Sequence, residues 1–167
     1  TSSGPGRPAM PPAVRSELAF PPEASIIAEP PFQEYPMDNA ILSAAFITLL
    51  NVLVLFVAMG LVGRARGKYG IKAPACSGHE QFECAYRAHM NTVEQTVMFL
   101  PVLWIASLTG FMLWAHWLGA AWVVGRIWYV LGYNKAASAR SGGFLLSFLA
   151  FIGLFVLSAI GVYQNMH

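Results

Sequence analysis

Residues Tyr86–Gln95 read YRAHMNTVEQ and run without a break into TVMFLPVLWIASL, Thr96–Leu108. The second string is apolar enough to lie in hydrocarbon, yet the first carries Arg87, His89, Asn91 and Glu94. An ionisable group costs about 2.5–3.5 kcal/mol at the bilayer centre and less near its surface, so such groups face a bundle interior or a wet cavity. With 3.6 residues per turn, Glu83, Arg87, Asn91 and Glu94 follow one another at steps of four, four and three and share one narrow helical face. Such a stripe either staples helices through ion pairs, Glu83 with Arg87 and Arg87 with Glu94, or holds a ligand.

Outward from this stretch the chain is built of apolar runs. Of its 167 residues, 56% are hydrophobic and 11% charged, far from the roughly 25% charged residues of a soluble domain. Asn39–Gly63, Gln95–Gly125 and Ser141–His167 contain no Asp, Glu, Lys or Arg. A span needs about 20 mostly apolar residues. The reading is an all-α membrane protein, a bundle of four transmembrane helices over about Ala40–Val62, Phe82–Leu108, Met112–Tyr133 and Gly142–Tyr163, with a turn at Thr109-Gly110. Barrel strands would be short and alternate in polarity, which these runs do not. Arg64, Arg66, Lys68 and Lys72 fall in a first loop, 64–79, and Lys135 and Arg140 in a third, 134–141, while the second connection has no basic residue. Both basic loops are therefore expected on one cytoplasm-like side, with the termini opposite.

Residues 1–38 differ in kind. They hold most of the eleven prolines, and Glu17, Glu23, Glu29 and Glu34 outnumber Arg7 and Arg15. This composition builds no core. The expectation is two parts: an extended proline-rich N-terminal arm over 1–38, ordering along partner subunits of a larger membrane assembly, and a four-helix membrane domain over 39–167. A first residue that is Thr, not Met, fits removal of a targeting presequence or initiator. An organellar membrane, thylakoid or mitochondrial inner, is favoured over endoplasmic reticulum or a bacterial inner membrane.

A second stripe, Arg126, Tyr129 and Tyr133, ends at the same membrane face, and Arg140 follows at the mouth of the last helix. Arg64, Arg66, Arg87, Arg126, Lys135 and Arg140 outnumber Glu83 and Glu94 there. A net cationic site of this kind attracts a small anion, because guanidinium forks match carboxylates and tyrosine hydroxyls add directional donors. His89 and His116 are candidate axial ligands for haem or chlorophyll, but His116 stands between Trp114 and Trp117, where interfacial aromatic belts lie. His79-Glu80 and Glu83 lack the spacing of a zinc protease, and no metal is expected. Cys76 and Cys84 are read as structural. Asn51 is expected to bond another helix, and Gly119, Ala120, Ala121 and Gly125 to allow close packing. Basic residues confined to a membrane face leave no nucleic-acid partner.

Phe82-Glu83 followed by Tyr86-Arg87-Ala88-His89-Met90-Asn91-Thr92-Val93-Glu94 resembles the signature of the MAPEG family, the membrane-associated proteins in eicosanoid and glutathione metabolism. Val62 to Gly70, Tyr129 to Tyr133 and Arg140 extend the likeness over about Asn39–Tyr163, nearest the bacterial-type and microsomal glutathione transferase branches. The resemblance implies a homotrimer with glutathione, as co-substrate, bound between subunits. Arg87, Asn91 and Glu94 would then hold its γ-glutamyl end and Arg66 its glycyl carboxylate. Tyr129 and Tyr133 would line the pocket, with His89 counted among the binding residues. Arg140 would stand by the sulfur as the catalytic residue. His89 and Gln95 replace a glutamine and a tyrosine of the leukotriene synthase branch, and Gly67 replaces one of its paired arginines. The implied activity is that of a glutathione transferase or peroxidase acting on lipophilic electrophiles or hydroperoxides from the membrane. The alternative is a non-catalytic accessory subunit of a large organellar complex, anchored through the arm.

Overall fold

The computed structural model describes Thr1 and residues 38–167. The expected proline-rich arm lies outside the described residues, save its two ends.

Among the described residues there are four α-helices: α1 Asn39–Tyr69, α2 Glu80–Ala106, α3 Met112–Lys135 and α4 Ser141–Asn165. The Asp38 carboxylate accepts a hydrogen bond from the Ala40 N–H at the start of α1, as an N-cap does. The helix runs past the expected end at Val62 to Tyr69, where Gly70, at φ 66°, closes it by donating its N–H to the Arg66 carbonyl. No breaker separates Val62 from Gly70 apart from single glycines, and Arg64, Ala65, Arg66 and Lys68 are good helix formers. Three of the four basic residues of the expected first loop, Arg64, Arg66 and Lys68, therefore lie in the last two turns of α1. His79 Nδ1 accepts from the Gln81 N–H at the head of α2, and Glu80 and Glu83 occupy its first turn, where carboxylates favour the helix dipole.

Helical geometry fails at Thr109 and Gly110, the latter at φ 100°, a conformation that glycine adopts without the steric cost other residues meet. Beyond it α3 lies antiparallel against α2. Phe99 stacks on Trp122 with ring centroids 3.8 Å apart, and Asn91 and Thr92 meet Arg126; both pairings straddle the turn. Ile47, Leu103 and Leu154 complete a core shared by all four helices. Thr96 donates to Asn51 Oδ1 at 3.3 Å, joining α1 to α2 as expected of a polar residue inside a span. Between α3 and α4 backbone meets backbone: a Cβ on Gly125 would lie 2.7 Å from the Ser147 nitrogen, and one on Gly143 would collide with the Tyr129 nitrogen. A short 3₁₀ turn, Ala137–Arg140, carries the chain between these two helices.

Three helical stretches, Asn39–Tyr69, Glu80–Lys135 and Ala137–Asn165, are long and apolar enough to cross a membrane, the second being the hairpin broken at Gly110. Large apolar side chains such as Phe46, Leu49, Phe56, Leu113, Trp117 and Phe155 are exposed on the outer faces. In water such a surface would drive aggregation, whereas in a bilayer it is matched by acyl chains.

Candidate functional site

A cleft of about 480 Å³ opens at the basic end of the bundle, between the polar face of α2 and the last turns of α3. Glu83, Tyr86, Arg87, Met90, Asn91 and Glu94 form its α2 wall, Tyr129 and Tyr133 its α3 wall, and Cys76, Ser77 and Arg140 close it from the two connecting segments. A second cleft of about 310 Å³ shares Asn91, Tyr129 and Arg140 and extends to Ser141 and Phe144 of α4. The stripe at steps of four, four and three thus points into one space.

Arg140 Nη1 donates to the Tyr133 hydroxyl at 2.9 Å, and the guanidinium carbon stands 5.0 Å from the Tyr133 ring centroid. The two tyrosines meet edge to face, their centroids 5.6 Å apart. This fixes a cation at the junction of the two clefts. Arg87 and Glu94 are exposed within the same wall, and Asn91 is half-buried, so a zwitterionic ligand would meet both signs of charge along a single face.

Arg126 corrects an expectation. It is fully buried, not a free cation of the site. Its Nη2 donates to Asn91 Oδ1 at 3.0 Å and to Thr92 Oγ1 at 2.8 Å, and its Cζ lies 4.2 Å from the Tyr129 ring centroid. It therefore holds two cleft residues from behind. With Asn91 Oδ1 engaged, the carboxamide nitrogen is the group left for a ligand.

Arg66 is half-buried; its Nη1 donates to the Ala75 carbonyl at 2.8 Å and its guanidinium covers the Phe82 ring at 4.8 Å. It braces the segment that carries Cys76 and Ser77. Glu83 Oε1 accepts from the Gly78 N–H at 3.0 Å and pins the same segment. His89 is not among the residues that line either cleft, since two helical steps turn it about 200° from Arg87. His116 receives a different partner: its Nδ1 lies 2.8 Å from Ser43 Oγ, a cross-link between the starts of α1 and α3. Cys76 is exposed on the cleft and Cys84 buried, both as free thiols.

Sequence reasoning passed over Tyr86 and Met90, although one helical step before Arg87 and one before Asn91 keep both on the flank of the stripe. Cys76 and Ser77 carried no periodic signal, because they lie on the irregular segment between α1 and α2, and Phe144, in the first turn of α4, is one more apolar residue of an apolar run.

Residues 44–160 match the family model described as the MAPEG family. The chain belongs to the MAPEG family. Every residue lining the two clefts falls inside the matched range. The MAPEG chain is 42% identical over 118 residues to an uncharacterized protein of Synechocystis, covering 71% of this chain and 86% of the other. It is 38% identical over 127 residues to microsomal glutathione S-transferase 2 of Bos taurus (76% and 86% covered). To leukotriene C4 synthase of Bos taurus it is 30% identical over 126 residues (75% and 84% covered). As a family member with long apolar helices it is an integral membrane protein.

Proposed function

We propose that this MAPEG protein is a membrane glutathione transferase: the cleft binds glutathione, and Arg140 stabilises its thiolate for attack on lipophilic electrophiles. The observation that carries the reading is the convergence of Arg87, Asn91, Glu94, Tyr129, Tyr133 and Arg140 on one cleft of about 480 Å³, a size ordinary for small-molecule sites. The likeness to a microsomal glutathione S-transferase supports it.

In this account Glu94 takes the ligand's ammonium, while Arg87 and the Asn91 carboxamide take its α-carboxylate. Tyr129 walls the pocket. The thiol lies by Arg140, which Tyr133 holds in place. A free thiol has a pKa of about 8.5, and a fixed cation lowers it, so more of the nucleophile exists at neutral pH. The thiolate then forms a C–S bond with the electrophile as the leaving group departs, or as a strained ring opens and takes up a proton. With a lipid hydroperoxide, two glutathiones would give the disulfide, an alcohol and water. Arg66, which lines neither cleft, would serve the glycyl end only by bracing the segment that carries Cys76 and Ser77.

The finer architecture belongs to the same proposal: four crossings, with the Gly110 hairpin supplying two, and a homotrimer in which a neighbour completes the cleft's open side. Residues 1–38 form an arm for partner subunits, in an organellar membrane, with the basic turns on its cytoplasm-like side.

The test is glutathione conjugation of a generic hydrophobic electrophile by the purified protein. Turnover is expected, and Arg140→Ala should lower kcat/KM by about 10²–10³-fold, the scale seen when one charge-stabilising group is removed. Copurification with many subunits and no turnover would favour the accessory-subunit reading.

A further inference from the structure

Away from these clefts, the seam between α1 and α3 carries two depressions in succession. At the basic end, a cleft of about 340 Å³ is lined by Arg64, Lys68 and Tyr69 of α1, Gln81 at the head of α2 and Asn134 at the end of α3. One helical turn deeper on both helices lies a groove of about 230 Å³ with a wholly apolar lining, including Leu53 and Val57 from α1 and Ile127 and Leu131 from α3. None of the residues lining either depression is acidic, and none lines the glutathione clefts. Leu53, Val57, Ile127 and Leu131 are each between 42% and 56% exposed, so the groove is open along its length.

The dimensions match one lipid leaflet. From Leu50, at the deep end of the groove, to Leu61, which lines the polar cleft, eleven residues rise about 17 Å, close to half of a hydrocarbon core about 30 Å thick. Arg64 and Lys68 follow one and two turns further, at the depth of phosphate groups. A zwitterionic headgroup would bring its own ammonium against these two cations. An anionic one would not. Basic pockets between membrane helices hold anionic headgroups for this reason.

We propose that the α1–α3 seam is a binding site for one anionic glycerophospholipid. Arg64 and Lys68 hold its phosphate, the Gln81 and Asn134 carboxamides and the Tyr69 hydroxyl meet headgroup and glycerol oxygens, and one acyl chain fills the apolar groove. The site is independent of the glutathione reading and stands even if that reading fails.

Native mass spectrometry of the purified full chain, titrated with phosphatidylglycerol or phosphatidylcholine of matched acyl chains, tests it. One phosphatidylglycerol per chain should be retained, at least about tenfold more tightly than phosphatidylcholine. The double substitution Arg64→Gln, Lys68→Gln should weaken retention roughly 30-fold, since each juxtamembrane cation contributes on the order of 1 kcal/mol. Val57→Trp, which fills the groove at an exposed position, should weaken it with the charges intact. Unchanged helical circular dichroism shows that the variants fold. Equal retention of the two lipids, or undiminished phosphatidylglycerol binding in the double variant, would overturn the proposal. So would disulfide cross-linking between copies of a Leu53→Cys variant, which would give the groove to a second copy of the chain.

Discussion

At the scale of single residues, the site divides into groups that would touch a ligand and groups that hold them. Arg140 belongs to the first kind. If it lowers the bound thiol's pKa, kcat for conjugation rises with pH through that depressed value and then levels off, because the bound thiolate fraction saturates. Arg140→Ala should move the rise upward, toward the free thiol's pKa of about 8.5, with the two variants converging at high pH. An unshifted profile would remove Arg140 from thiolate stabilisation. Arg126 belongs to the second kind, since its contacts run to Asn91, Thr92 and Tyr129. Arg126→Met leaves the Asn91 oxygen and the Thr92 hydroxyl without their donor. It should destabilise the fold by about 1–3 kcal/mol in thermal or denaturant unfolding and raise KM for glutathione more than it lowers kcat. The α2 stripe was legible because residues at steps of three and four must share a face. The same rule would have set His89 aside, as its position opposes Arg87. Arg126 was misread as a free cation because its partners are a neutral amide and a hydroxyl, which no charge pattern signals.

At the scale of helices, the site depends on how closely α3 and α4 approach. Gly125 and Gly143 let backbone touch backbone, and Gly143 packs against the Tyr129 nitrogen in the turn that carries the cleft's tyrosines. Gly143→Val should wedge the helices apart, with a loss of about 1–3 kcal/mol in unfolding experiments. It should also weaken glutathione binding by displacing Tyr129, although it touches no ligand; wild-type stability and affinity in this variant would contradict the role given to the close approach. Sequence alone marked Gly125 as a packing residue, since small residues recur at membrane helix contacts. It gave no means of pairing it with Gly143, because the partner of a glycine depends on the crossing of two helices distant in sequence. The turn at Gly110 was legible because the uncharged run Gln95–Gly125 and its flanks are too long for one span and carry Thr109-Gly110 within them. The length of α1 was not: the reading stopped at the edge of the apolar run, whereas backbone hydrogen bonding continues through basic residues until Gly70 ends it.

At the scale of the whole molecule, polarity is sorted by depth. The core around Phe99 and Trp122 is apolar. The outer faces are apolar, and the Asp, Glu, Lys and Arg residues of α2 and α3 and their connections lie toward one end, around the cleft. On the proposed reading a water-soluble thiol tripeptide would enter from that end while an apolar co-substrate arrived laterally from the lipid, and the two reactants would meet at the interface between their own phases. Proximity of that sort can supply much of the catalysis, provided the sulfur is already ionised when the electrophile arrives. The most direct test is the ultraviolet thiolate absorbance that develops when glutathione is mixed with the purified protein near neutral pH. The account predicts a saturable thiolate signal in the wild type that is lost in Arg140→Ala while glutathione still binds. Glutathione that binds the wild type wholly as the neutral thiol, or a thiolate signal undiminished without Arg140, would contradict it.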